Sequence, residues 1–154
     1  MTVLIELAQP DSADAIALIE ELEAHLAPQY PSESRHGLSV QQLIAQSVAF
    51  FVVRHDGTAA ACGGIKLVDR EYGELKRMYV RPAFRGLGLA KGLVDWLAAY
   101  ACRHGVPLLR LETGIHQVEA IGLYERMGFH RIPPFGEYRE DPLSLFFEKP
   151  LDCA

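Results

Sequence analysis

Basic residues are not in excess in this chain, cysteines are few, and no long hydrophobic run interrupts it. Against 20 Asp and Glu stand 15 Lys and Arg, a formal charge of -5. No face is basic enough to suggest a nucleic-acid footprint, so nucleic acid is not expected as a partner. The three cysteines, Cys62, Cys102 and Cys153, are odd in number and show no C-x-x-C spacing. That argues against a disulfide framework and against a structural zinc site. They read as small hydrophobes, Cys153 as a free thiol in the tail, and no metal is expected. The first apolar stretch, VLIELA, is short, is broken by Glu6 and has no cationic residue before it. It reads as neither a signal peptide nor a membrane span, so the expectation is a cytoplasmic protein with no membrane partner.

What is present is apolar substance: 49% of 154 residues, enough for the core of one domain over residues 1-154. TVLIELA reads as a first strand ended by Pro10. In the following DSADAIALIEELEAHL, Ile16, Ile19, Leu22 and Leu26 recur at helical spacing, with Asp11 or Ser12 as the N-cap. After the loop APQYPSESRHGLS, a short helix is expected at about Val40 to Gln46. Two β-rich runs flank Asp56-Gly57, a strong hairpin signal, and a second turn at Arg70 to Gly73 leads into ELKRMYV. Leu87, Ala90, Val94, Leu97 and Ala101 then mark a helix of about four turns, ending near His104-Gly105. PLLRLET is a short strand, QVEAIGLYERM a helix closed by Gly128, and FHRI and LSLFFEKPL are the last strands. The order β-α-α-β-β-β-α-β-α-β-β implies an α/β (α+β) domain, a mixed sheet with helices on both faces.

VRPAFRGLGLAKGLV, residues 80-94, carries the most chemistry. Glycines at 86 and 88 ahead of a helix bare backbone N–H groups at the positive end of the helix dipole, an arrangement that binds anions. Arg85 adds a cation able to pair with phosphate oxygens. The plainer alternative is a tight turn beside a solvated arginine. Two common phosphate loops do not fit. Lys91 is followed by Gly92, so the G-x-x-x-x-G-K-[ST] pattern is absent, and a dinucleotide fold would place its glycines after the first strand.

The stretch resembles the pyrophosphate loop of the GCN5-related N-acetyltransferase (GNAT) family, R/Q-x-x-G-x-G/A, which Arg85, Gly88 and Ala90 match. The strand GELKRMYV before it and AIGLYERMGF after it are similar to that family too, and the resemblance runs from Val3 to Leu151. PSESRHGL, LETG and PFGEYREDPLSLFFEKPL look like a bacterial subgroup of small acetyltransferases, the YsnE-like proteins. The resemblance implies the GNAT fold, a mixed sheet of six to seven strands flanked by about four helices. It implies acetyl-CoA as co-substrate and an amine as acceptor. Met78, Tyr79 and Val80 would line the pantetheine arm, and the amides of Arg85, Gly86, Leu87, Gly88, Leu89 and Ala90 would hold the pyrophosphate. Many members carry an asparagine where this chain has Gln117, so that cofactor contact is altered. Tyr124 matches the family's general acid. Glu74 stands where some members carry a base, with Glu112 on the next strand as the competing carboxylate. By period two, Glu74, Lys76 and Met78 would share a strand face. For the acceptor the resemblance points to two loops, with Tyr30, Arg35 and His36 in one and Glu137, Tyr138 and Asp141 in the other. Arg35 would suit an acceptor that bears a carboxylate. The competing reading is a non-catalytic acyl-CoA sensor of the same fold. Homodimers are common in the family, but no stretch here marks an interface.

Overall fold

The computed structural model describes all residues, 1-154, in the order β1 (Val3–Leu7), α1 (Ala13–Leu26), α2 (Val40–Ala45), β2 (Ala49–His55), β3 (Thr58–Val68), β4 (Tyr72–Val80), α3 (Leu89–Arg103), β5 (Leu108–Gly114), α4 (Val118–Arg126), β6 (His130–Ile132) and β7 (Ser144–Pro150). Single 3-10 turns lie at Ser32–Ser34 and Pro82–Phe84. The strands form one seven-stranded sheet, ordered β1-β2-β3-β4-β5-β7-β6. Every neighbouring pair is antiparallel except β4 and β5.

Local chemistry sets most boundaries. Ser12 caps α1 by accepting from the Ala15 amide, and Ser39 with Gln42 forms a reciprocal capping box on α2. Asp56 and Gly57 both have positive φ, 48° and 87°, as a two-residue hairpin turn with right-twisted strands demands. Gly128, at φ 92°, ends α4. The helix expected from Leu87 begins two residues later, at Leu89, because Gly86 and Gly88 both take left-handed φ; Leu87 is left exposed.

The sheet separates two cores. On one face α3 and α4 set Leu93, Leu97 and Tyr124 against Val53, Leu75, Leu109 and Phe147. On the other, α1 and α2 set Leu18, Ile19 and Leu43 against Phe50, Val52 and Cys62. A third cluster, Tyr72, Phe135 and Phe146, seals the loop before β7.

Two expectations are corrected. Glu74, Lys76 and Met78 do not share a face. Gly64 pairs with Lys76 and Cys62 with Tyr79, so β4 carries one extra residue opposite Gly63, and Arg77 has φ 55°. This bulge turns Met78 toward the α3 core, while Glu74 and Lys76 form an ion pair of 2.8 Å on the opposite face. Cys102 and Cys153 are not free thiols; they are joined in a disulfide. The Leu151 amide bonds the Pro107 carbonyl, which carries the chain after β7 back across the end of α3, where Cys102 lies. Proximity made by tertiary folding across 51 residues leaves no mark in cysteine spacing.

Candidate active site

The parallel ladder between β4 and β5 pairs only Gly73 with Leu109 and Glu74 with Arg110. Beyond it the strands splay, and a cleft of ≈ 520 Å³ opens between the end of β4, the loop before α3, and α4. Of the residues assigned above to the cofactor, Met78, Tyr79, Val80, Arg85, Gly86, Gly88, Leu89, Ala90 and Gln117 line it, and only the Leu87 side chain does not.

The loop is built to hold an anion. The first amide of α3 bonded within the chain is that of Gly92, to the Gly88 carbonyl; the amides from Gly86 to Lys91 donate to no group of the protein. Gly86 and Gly88 have φ 79° and 78°, and no atom lies within 4 Å of where a Cβ would stand on either. Their lack of side chains therefore serves backbone conformation and leaves the amides bare, rather than relieving an internal clash. Arg85 lies beside them, its Nε donating to the Val80 carbonyl at 3.2 Å. Free amides, a helix N-terminus and a guanidinium fit the pyrophosphate of coenzyme A.

A second, smaller cleft of ≈ 140 Å³ passes through the β4–β5 gap toward α1. Tyr30, Arg35 and His36, three of the residues assigned to the acceptor side, line it together with Glu112, the competing carboxylate. Tyr124 lines both clefts and stands at their junction. Its ring is buried edge-on against Phe129, burial pushes its phenol well above the ordinary value, and its hydroxyl bonds no protein group. The phenol is therefore a neutral donor with its proton free to give.

The two carboxylates differ. Glu74 lines neither cleft; its carboxylate sits between Lys76 and the Tyr138 hydroxyl, which also receives a hydrogen bond of 2.9 Å from Lys76 Nζ. Glu112 faces the smaller cleft. Burial raises its pKa, and the Ser144 hydroxyl, donating at 2.9 Å, opposes that rise. A carboxylate with raised affinity for a proton, on the wall of a small cleft, is suited to accept one.

Tyr30 and Gln117 are tied to each other. The Tyr30 hydroxyl accepts from the His116 amide at 2.9 Å and from Gln117 Nε2 at 3.2 Å, while the Gln117 carbonyl faces His25. Gln117 therefore pins α4 to α1 while still lining the cleft. Tyr138 does not reach either cleft, and Glu137 is exposed; Asp141 lies 3.4 Å from His36. Sequence reasoning missed Arg77, which lines the smaller cleft, and Ser144 behind Glu112. Two adjacent cations, Lys76 and Arg77, inside a strand were the visible signal for Arg77. Cys62 also lines the larger cleft, but burial pushes its thiol up to about 12 and it donates to the Arg77 carbonyl.

The acetyltransferase (GNAT) family profile matches residues 16–129, well over half of the chain. The chain belongs to the GNAT family and is an acetyl-CoA-dependent acyltransferase. It is 43% identical to the IAA acetyltransferase of Azospirillum brasilense over 97% of this chain and 98% of that protein. With the N-acetyltransferase YsnE of Bacillus subtilis it shares 33% identity over 88% of this chain and 91% of YsnE. The crystal structure of a Klebsiella pneumoniae protein described as an acyl-CoA N-acyltransferase superposes with a TM-score of 0.86 at 39% identity, covering 98% and 99% of the two chains.

Proposed function

We propose that the chain moves the acetyl group of acetyl-CoA to the primary amine of a small molecule by direct attack, with both substrates bound together. The observation that carries this reading is Tyr124, whose unbonded hydroxyl stands where the two clefts meet. Bound acetyl-CoA supplies a thioester, whose C–S bond breaks as the N–C bond to the acceptor forms.

The amides from Gly86 to Lys91 and the Arg85 guanidinium would hold the pyrophosphate, and the splayed edge of β4 from Met78 to Val80 would lie along the pantetheine arm. An alkyl ammonium has a pKa of about 10 and cannot attack until it is deprotonated. Glu112, on the wall of the smaller cleft, accepts that proton; Glu74, held by Lys76, stabilises the strand instead. Tyr124 gives its phenolic proton to the departing sulfur and is reprotonated by the second proton the nitrogen loses. One proton thus leaves to solvent through Glu112, and the other ends on the thiol. A route through an acetylated cysteine is disfavoured, because Cys62 stays protonated at neutral pH.

Replacing Tyr124 with Phe tests the proposal. Loss of general acid catalysis should lower kcat by about 10²-fold or more with coenzyme A affinity unchanged. An unaltered kcat would return Tyr124 to a packing role.

A further inference from the structure

Residues common to neighbouring cavities connect three spaces in a row. The smaller cleft shares Tyr124 and Met78 with the large cofactor cleft, and it shares Arg35, Gly37 and Arg77 with a shallow surface hollow beside α1. A molecule in the smaller cleft therefore has one end at Tyr124 and the other at two guanidiniums. The cleft itself is small: at ≈ 140 Å³ it is close to a cavity that admits benzene, room for about six non-hydrogen atoms between its two ends.

The far end has unused hydrogen-bonding capacity. One buried side-chain donor, Arg35 Nε, has no partner and belongs to a residue that lines this same cleft, while His36 Nε2 beside it is met by Asp141. Buried donors of this kind are rarely left unmet. Arg77, nearly fully buried, is fixed by its Nε donating to the Leu38 carbonyl at 2.8 Å and by Glu23. Arg35 is held only by a 3.4 Å contact to that same Glu23. One carboxylate, Glu23, thus contacts both guanidiniums, and Glu112, at the other end of the cleft, faces the acceptor's ammonium instead. Asp141, 3.4 Å from His36 Nε2, offsets any charge on the imidazole but not on the arginines. One surplus positive charge matches a monoanion better than a phosphate dianion, and the fork of Arg35 fits a carboxylate.

We infer that the acceptor is a small amino-carboxylate, of the size of alanine or β-alanine, whose carboxylate is held by Arg35 against Arg77 while its amine points to Glu112 and Tyr124. This rests on the proposed transferase reading and narrows its substrate. The test uses alanine, β-alanine and γ-aminobutyrate, each paired with its carboxamide, in two measurements on the full chain. One is thiol release from acetyl-CoA. The other is calorimetric binding of the N-acetylated acids and their amides to the protein saturated with coenzyme A. The acids should be favoured over the amides by about 10- to 100-fold, chiefly in KM, as expected for a charge-assisted pair. Arg35→Ala should erase that preference, raising KM for the acids about 10- to 100-fold more than KM for the amides; Arg35→Lys should restore part of it. Turnover with no acid preference, or a preference that survives Arg35→Ala, overturns the inference while leaving the transferase reading intact. Binding of acids over amides without any turnover supports the carboxylate site and removes the transferase reading. Failure of every acid to bind overturns the inference.

Discussion

With Glu112 as the proposed base, the acidic limb of the pH–rate profile should be set by Glu112 and tuned by Ser144. Glu112 must be ionised to take the acceptor's proton, so kcat/KM falls as pH drops through its pKa, which burial holds above the ordinary carboxyl value. The Ser144 hydroxyl donates to Glu112 Oε2 at 2.9 Å and favours the charged form. A hydrogen bond to a charged group contributes about 1.5–3 kcal/mol, and one pKa unit is about 1.4 kcal/mol. Ser144→Ala withdraws that support, so the Glu112 pKa rises again and the acidic limb moves to higher pH by about one to two units. The basic side of the profile belongs to the acceptor amine and stays in place. The assay is kcat/KM from thiol release at saturating acetyl-CoA across the acidic range, with Glu112→Gln as the reference; that variant should lose the limb and about 10²-fold or more in rate. An acidic limb that stays put in Ser144→Ala, or that persists in Glu112→Gln, would refute Glu112 as the base.

Other perturbations test the scaffold. Glu74→Ala leaves Lys76 as an uncompensated buried charge and should cost about 3–5 kcal/mol in denaturant unfolding, with kcat per folded molecule retained; a lost kcat at unchanged stability would make Glu74 the base instead. Gly88→Ala meets no atom, so its cost is the left-handed backbone alone, about 1–2 kcal/mol, with coenzyme A affinity weakened as the loop relaxes; calorimetry and unfolding check both. Leu97→Ala, fully buried under the sheet, should lower stability by about 2–5 kcal/mol through the cavity it leaves. Reducing Cys102–Cys153 frees a loop of 51 residues and should lower stability by about 2–4 kcal/mol while sparing coenzyme A binding, because neither cysteine lines the cleft.

Local signals in the sequence carried the element order, because each boundary has local chemistry behind it: a serine cap on α1, a capping box on α2, Asp-Gly between β2 and β3, Gly128 after α4. The loop of bare amides before α3 was legible for the same reason, since two glycines and a helix start are adjacent in sequence. What the sequence hid depends on contacts across the fold. Period two assigns strand faces only while the ladder is regular, so the bulge at Arg77 and Met78 inverted the face predicted for Met78. The roles of Glu74 and Glu112 depend on what each carboxylate touches, Lys76 and Tyr138 for one, Ser144 for the other. Tyr138 shared a polar loop with Asp141, yet packing drew it under the sheet edge with Phe135 and Phe146 and away from the acceptor side.

The bulge also explains why one interruption of β4 shapes both clefts. A regular β4 would continue its ladder with β5 and close the sheet; pairing instead ends at Glu74 and Arg110, just before the extra residue. From there Met78 swings toward α3 and borders both clefts, while Arg77 swings toward α1, where Leu38 and Glu23 fix it at the far end of the smaller one. A side chain at Gly63, opposite the bulge, would collide with Met78 and Leu93, so the partner strand is cut back where β4 gains its residue. The gap, the bare edge of β4 and the placing of Arg77 at the far end of the smaller cleft thus share a single backbone cause. Gly63→Val should therefore disturb cofactor and acceptor kinetics together, whereas a change confined to Arg35 should touch the acceptor alone.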